Sequence, residues 1–133
     1  MEVVMDMLRF GEFQANSSLR SIIRSATEWH ELAKDLRDIV DRKSLPLLDP
    51  GTTPIVNEWF VEKFMVPILV GHISYPEKTE NGHATYGRMN FTAPLHFFSY
   101  KGEMTRSSTR WYRLGTPSPL AERSIERWTM PDG

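Results

Sequence analysis

The chain has 133 residues, 16 basic and 17 acidic side chains, a net charge of −1, 40% hydrophobic residues and no cysteine. That is one domain's worth of chain, apolar enough to bury a core and too apolar for a disordered polymer. The missing cysteines exclude disulfides, thiolate metal sites and thiol nucleophiles, and the charge argues against a generic polyanion binder.

The N-terminus, Met1 to Leu8, carries Glu2 and Asp6 where a secretion signal needs bases and an unbroken apolar run. The longest central apolar run, Met65 to Val70, is six residues and contains Pro67, against about 20 for a membrane span. These features read as a cytoplasmic protein with no membrane contact. Charge is unevenly spread: −2 over residues 1–50, −1 over 51–100 and +2 over 101–133. Four bases and one acid between Lys101 and Arg113 make that stretch +3.

In chain order, Val3, Val4, Met7 and Leu8 predict a short helix over 1–10, with Gly11 as its stop. Asn16, Ser17 and Ser18 are N-cap candidates for a long helix over Leu19 to Arg42. Ile22, Ala26, Trp29, Ala33, Leu36 and Val40 recur there at spacings of 4, 3, 4, 3 and 4, and Ile23, Leu32 and Ile39 widen the stripe. Opposite charges at i,i+4, such as Lys34 and Asp38, support the helix. The width of the stripe favours packing on the protein's own sheet; a helical partner or a homodimer through 19–42 is the alternative.

Pro46, Pro50 and Pro54 make 45–54 a connector, with Asp49-Pro50-Gly51 a turn. Residues 55–65 fit either a helix or a strand. Val66 to Tyr75 alternates as a strand, 76–82 is a polar loop ending in Asn81-Gly82, and Arg88 to Tyr100 alternates again, with Pro94 marking an edge or bulge. Lys101-Gly102 predicts a hairpin into a strand from Glu103 to Leu114. Ser118 and Pro119 predict the start of a short helix over 120–128.

From Trp59 to Gly115 the order Val70-Gly71-His72, Thr92-Ala93-Pro94-Leu95 and Arg106-Ser107-Ser108-Thr109-Arg110-Trp111-Tyr112-Arg113-Leu114-Gly115 resembles an uncharacterised family of small alphaproteobacterial proteins. Its members end in an Arg-Thr-x-Ser-Arg-aromatic-Tyr-Arg-Leu-Gly signature, and Ser107 and Thr109 exchange that Thr and Ser. The resemblance implies strand structure after Trp59 and a shared signature, with no activity attached.

The stretch from Arg106 to Arg113 is the leading site candidate. On one regular strand, Arg106, Ser108, Arg110 and Tyr112 share a face. Two arginines there, flanked by hydroxyls and a tyrosine, can grip a carboxylate or phosphate in bidentate fashion, and Trp111 can stack a base. Phe98 and Tyr100 share a face with His96 and add an aromatic patch of the kind that marks partner sites. His72 and His96, on neighbouring strands, can meet, which with a third ligand would make a metal-dependent hydrolase site. No His-Glu-x-x-His, Gly-x-Ser-x-Gly or phosphate-cradling glycine motif is present, and none calls for a cofactor.

Together these features predict a single α+β domain. Its helical part (1–44) packs on a three- to four-stranded antiparallel sheet (55–115), followed by a tail with a short helix (116–133). The function expected is a non-catalytic binding module, a protein-interaction or regulatory accessory factor. It would bind a protein partner through Arg106, Arg110, Tyr112, Phe98, Tyr100 and Arg113. The alternatives are nucleic-acid binding through the 101–113 hairpin and hydrolysis around His72 and His96.

Overall fold

The computed structural model describes residues 6–63, 65–75 and 87–131, and these form two units, one from residues 6–17 with 65–131 and one from 18–63. Both contribute to an α+β architecture. Among the described residues no helix is long and apolar enough to cross a membrane.

The helical unit is α1, Leu19–Arg42, followed by the proline-rich connector. Its bounds match the periodic stretch in the sequence. Ser18 caps it: the Ser18 side chain accepts the Ser21 N–H at 3.1 Å, satisfying a donor that has no partner within the first turn. At the other end Lys43 adopts a left-handed conformation, as C-caps commonly do, and the Arg42 charge complements the helix dipole. Lys34 and Asp38 approach to 3.6 Å on an exposed face. The predicted turn follows, with Asp49 accepting the Gly51 N–H at 2.9 Å through its side chain and the Thr53 N–H at 2.8 Å through its carbonyl. Residues 54–63 form neither helix nor strand, so the strand structure expected right after Trp59 is absent there.

The sheet unit departs further from expectation. Residues 6–10 are extended rather than helical, and Leu8–Arg9 form β1. The predicted strand 66–75 contracts to β2, Val70–His72. The predicted strand 88–100 is cut into β3, Met89–Phe91, and β4, Leu95–Ser99. Thr92 and Pro94 cause that break. Pro94 has no N–H to give a ladder, and Thr92 turns aside, its N–H bonding Leu69 O at 3.0 Å while its hydroxyl accepts the Leu69 N–H at 3.0 Å.

The predicted strand 103–114 is a hairpin, β5 (Met104–Ser107) and β6 (Trp111–Arg113). The reversal is closed by Ser107. Its hydroxyl accepts the N–H groups of Thr109 and Arg110 at 3.1 and 3.2 Å, and its own N–H bonds Arg110 O at 2.9 Å. The short C-terminal helix is α2, Ala121–Arg127.

The strands pair as a four-stranded sheet in the order β1-β4-β5-β6 and a separate two-stranded sheet, β2-β3. The larger sheet is mixed, not wholly antiparallel, because β1 runs parallel to β4, with Leu8 beside Phe97 and Arg9 beside Phe98. The N-terminal segment also ties down the end of the chain: Met7 N–H bonds Trp128 O at 3.0 Å and Met130 N–H bonds Met7 O at 2.9 Å. Met7, Leu95, Phe98 and Ile125 form the core, with Leu69, Leu114 and Trp128 packed against it.

Glu12 locks the β4–β5 turn to the N-terminal segment. Its carboxylate accepts the N–H groups of Tyr100 and Lys101 at 2.9 and 2.7 Å and pairs with the Arg9 guanidinium. Arg9 also donates to Thr129 Oγ1 at 3.0 Å and lies over the Phe98 ring. Burial raises the Glu12 carboxyl. The Arg9 hydrogen bond, the Lys101 and Tyr100 N–H groups and the Arg9 charge outweigh burial, so the group sits below its ordinary value. Gly11, at φ 75°, lets the chain turn here; a Cβ at that position would stand 3.0 Å from Ser99 Oγ.

Candidate functional site

The hairpin turn redistributes the residues expected on one face. Register places Phe97, Arg106 and Trp111 in one cross-strand row and Phe98, Thr105 and Tyr112 in another. In an antiparallel ladder directly paired residues share a face and successive rows alternate, so Arg106 and Tyr112 lie on opposite faces. Phe97 and Trp111 meet edge to face, ring centroids 5.8 Å apart, and Trp111 is 54% exposed. Arg113 pairs with Met104 in the next row on the Arg106 face, and both are exposed. Arg106 is half-buried and donates from Nη1 to Ser107 O at 3.2 Å.

Arg110 and Tyr112 do come together. The Arg110 guanidinium lies 5.8 Å from the Tyr112 ring centroid and 5.3 Å from that of Tyr75. Each ring attracts the cation with about 0.5–1 kcal/mol at an exposed site. Burial, then the hydrogen bond that the Tyr112 hydroxyl donates to Tyr75, raises the Tyr112 phenol. Arg110 itself is exposed and lies against both phenol rings. Tyr75 was no candidate in the sequence, because nothing local links it to a hairpin 35 positions later.

The two other expected binding aromatics differ in burial, with Phe98 inside and Tyr100 38% exposed. Phe98 is 5% exposed and sits in the core, so its ring is not offered to a partner. Tyr100 stands at the β4–β5 turn with its N–H on Glu12. Lys101, the first base of the hairpin, lies 3.8 Å from the Phe13 ring centroid.

The histidines take separate places. His72 is in the two-stranded sheet, its Nδ1 3.1 Å from Gly87 O. His96 is in the four-stranded sheet, its Nε2 2.7 Å from Ser108 Oγ. Burial first, then the Arg106 charge, lowers the His96 pKa, so the ring favours its neutral form. This Ser–His contact was not legible in the sequence, since only the bulge between Leu95 and Phe97 and the reversal at 107–110 bring the two together. The Ser108 hydroxyl is also 3.4 Å from Pro94 O, and the Arg106 cation acts on His96. Among the described residues no group of three His, Asp or Glu is placed to hold a metal ion; His83 lies outside them.

Comparison with family models, curated proteins and solved structures returns no match to this chain.

Proposed function

We propose that the chain is a non-catalytic binding module, a protein-interaction or regulatory accessory factor that takes an acidic segment of a partner protein on the β5–β6 hairpin. The observation that carries this reading is exposed Arg110 lying against the rings of Tyr75 and Tyr112. An arginine already positioned by two rings loses less rotamer entropy on meeting a carboxylate, and Arg, Tyr and Trp are the residue types enriched where interfaces draw their energy. Two of the four bases of the 101–113 stretch are engaged locally, Lys101 on Phe13 and half-buried Arg106 on Ser107, which interrupts a continuous phosphate track. That favours a protein ligand over nucleic acid.

A displayed library of random peptides, selected on the full chain, tests the reading. Recovered peptides should be rich in Asp and Glu and should lose at least ten-fold in affinity on Arg110→Ala, with a smaller loss on Tyr112→Phe. Peptides that bind Arg110→Ala as well as wild type would overturn it. So would tighter binding to single-stranded DNA than to any peptide, with affinity falling steeply as salt rises.

A further inference from the structure

Strand β6 is the last strand of its sheet, and its outer edge carries backbone groups that the sheet does not use. The ladder to β5 fixes which ones. Leu114 N–H bonds Glu103 O and Ser107 N–H bonds Arg110 O, both at 2.9 Å. The hydrogen-bonded rows are therefore Glu103 with Leu114, Thr105 with Tyr112 and Ser107 with Arg110. The rows between them, Met104 with Arg113 and Arg106 with Trp111, turn their N–H and C=O groups away from the pair. On β5 those groups face β4, in the rows Ser99 with Met104 and Phe97 with Arg106. On β6 the N–H and C=O groups of Trp111 and Arg113 point outward, and among the described residues nothing bonds them. Trp111 is 54% exposed and Arg113 is exposed as well.

We infer that this edge takes an extended, acidic segment of a partner protein as a fifth strand, antiparallel to β6. This rests on the hairpin being the site for an acidic segment, and it adds how that segment is held. An open edge is completed by another strand, because a backbone offers donors and acceptors at the spacing of a ladder. Antiparallel pairing lets one partner residue exchange both bonds with Trp111, and the residue two before it exchange both with Arg113. A three-residue stretch then satisfies all four edge groups, whereas the slanted bonds of a parallel strand need five.

Charge says what the strand carries. Arg110 and Arg113, the two exposed arginines of the stretch, flank Trp111. Directly paired side chains share a face. A carboxylate opposite Arg113 and a β-branched side chain opposite Trp111 therefore lie on the Arg106 face, and the next partner residue, beside Arg110, lies on the Tyr112 face. The segment so defined reads acid, any residue, apolar residue, acid. An added strand reaches both faces of the hairpin, so Arg110 and Trp111 serve one ligand although they lie on opposite faces. A second copy of the chain at the same edge would gather Arg110 and Arg113 of both chains along one seam, and like charges across a seam cost stability.

The probe is a synthetic blocked hexapeptide, Thr-Glu-Thr-Val-Asp-Thr, titrated into the full chain. Its Glu falls opposite Arg113, its Val opposite Trp111 and its Asp beside Arg110. Bound peptide should slow amide exchange at Trp111 and Arg113 by about ten-fold or more and leave Tyr112, already bonded to Thr105, unmoved. N-methylation of the peptide's Glu or Val removes a ladder bond and should weaken binding about ten-fold. N-methylation of the Thr between them should have little effect, because that amide faces away from β6. Binding that depends on Arg110, with exchange at Trp111 and Arg113 unchanged and a flat N-methyl scan, would overturn the edge strand and leave the acidic-segment reading standing. Slowed edge amides with equal binding to Arg110→Ala would uphold the edge strand and overturn that reading instead. Tighter binding of the reversed sequence, Thr-Asp-Val-Thr-Glu-Thr, would show a parallel strand and overturn the inference. No binding at millimolar peptide would overturn it too. So would protection of Trp111 and Arg113 that rises with the concentration of the chain alone, which would assign the edge to a second copy.

Discussion

In the sheet unit Met7, Leu8, Leu95, Phe98 and Ile125 are each less than a tenth exposed, whereas along α1 Ile23, Leu32, Leu36 and Val40 are each more than half exposed. The two regions also differ in what holds their polar groups. The sheet unit buries an ion pair, Arg9 with Glu12, that joins its N-terminal segment to a turn more than 85 positions away. The helix relies on local bonds: its own ladder, the Ser18 cap and the exposed Lys34–Asp38 pair. The difference teaches that a single hydrophobic fraction can be satisfied in two ways. The sheet unit closes on a core of its own, whereas α1 is set by its own ladder and caps.

That contrast can be broken at several points. The largest effect is expected at Phe98. Phe98→Ala should destabilise the sheet unit by about 3–5 kcal/mol in urea unfolding, because it removes the centre of the core and leaves a cavity. Leu36→Ala at the same dilution should change stability by no more than about 0.5 kcal/mol, since its side chain is exposed. Similar losses at the two sites would erase the distinction. Next comes Glu12→Gln, which leaves Arg9 buried beside a neutral partner. A loss of about 3 kcal/mol is expected from breaking a buried pair, read as a lowered urea midpoint at unchanged slope. A neutral outcome would mean that the turn holds without its carboxylate.

Smaller effects sharpen the comparison. Ser18→Ala should cost about 1 kcal/mol, read by hydrogen exchange as weaker protection of the first turn of α1 with the sheet amides unmoved. Acid should act on the sheet unit in two stages. The folded-state pKa of His96 is lowered, so its contribution is present above about 6.5 and is lost as pH falls through the depressed value. Glu12 is lowered as well, so its contribution is present above about 4.3 and is lost on further acidification. Thermal melts from pH 7.5 downward should therefore show a first decline that disappears in His96→Gln and a second that disappears in Glu12→Gln. A melting temperature flat from pH 7.5 to 3 would contradict both assignments.

How far the sequence exposed all this follows from range. Helix α1 was legible to the residue, because 24 residues repeat one period and Ser18 offers a cap oxygen at the right place. Strands of two to five residues carry too few alternations to be bounded that way. Met7 and Leu8 fit a helix face as well as a strand, and what makes β1 a strand is its parallel partner, Phe97–Phe98. The reversal between β5 and β6 contains no Gly, Pro or Asn, so Arg106 to Arg113 reads as one continuous strand. Only the bonds to the Ser107 hydroxyl reveal the turn. That one turn decides the candidate site: it separates Arg106 from Tyr112, brings Ser108 to His96, and leaves Arg110 against two tyrosine rings. Arg110, Tyr112 and the basic character of the hairpin could be read beforehand. Tyr75, Glu12 and the burial of Phe98 could not, since each depends on a contact between segments far apart in the chain.

The central claim is that the sheet unit is held by long-range packing and a buried ion pair, whereas α1 is held by local bonds. Hydrogen exchange of the wild-type protein in increasing sub-denaturing urea tests it most directly. The α1 amides should exchange through local openings that respond little to urea, while β4 and β5 amides exchange only through openings as urea-sensitive as global unfolding. Equal protection and equal urea dependence in α1 and the sheet would contradict it.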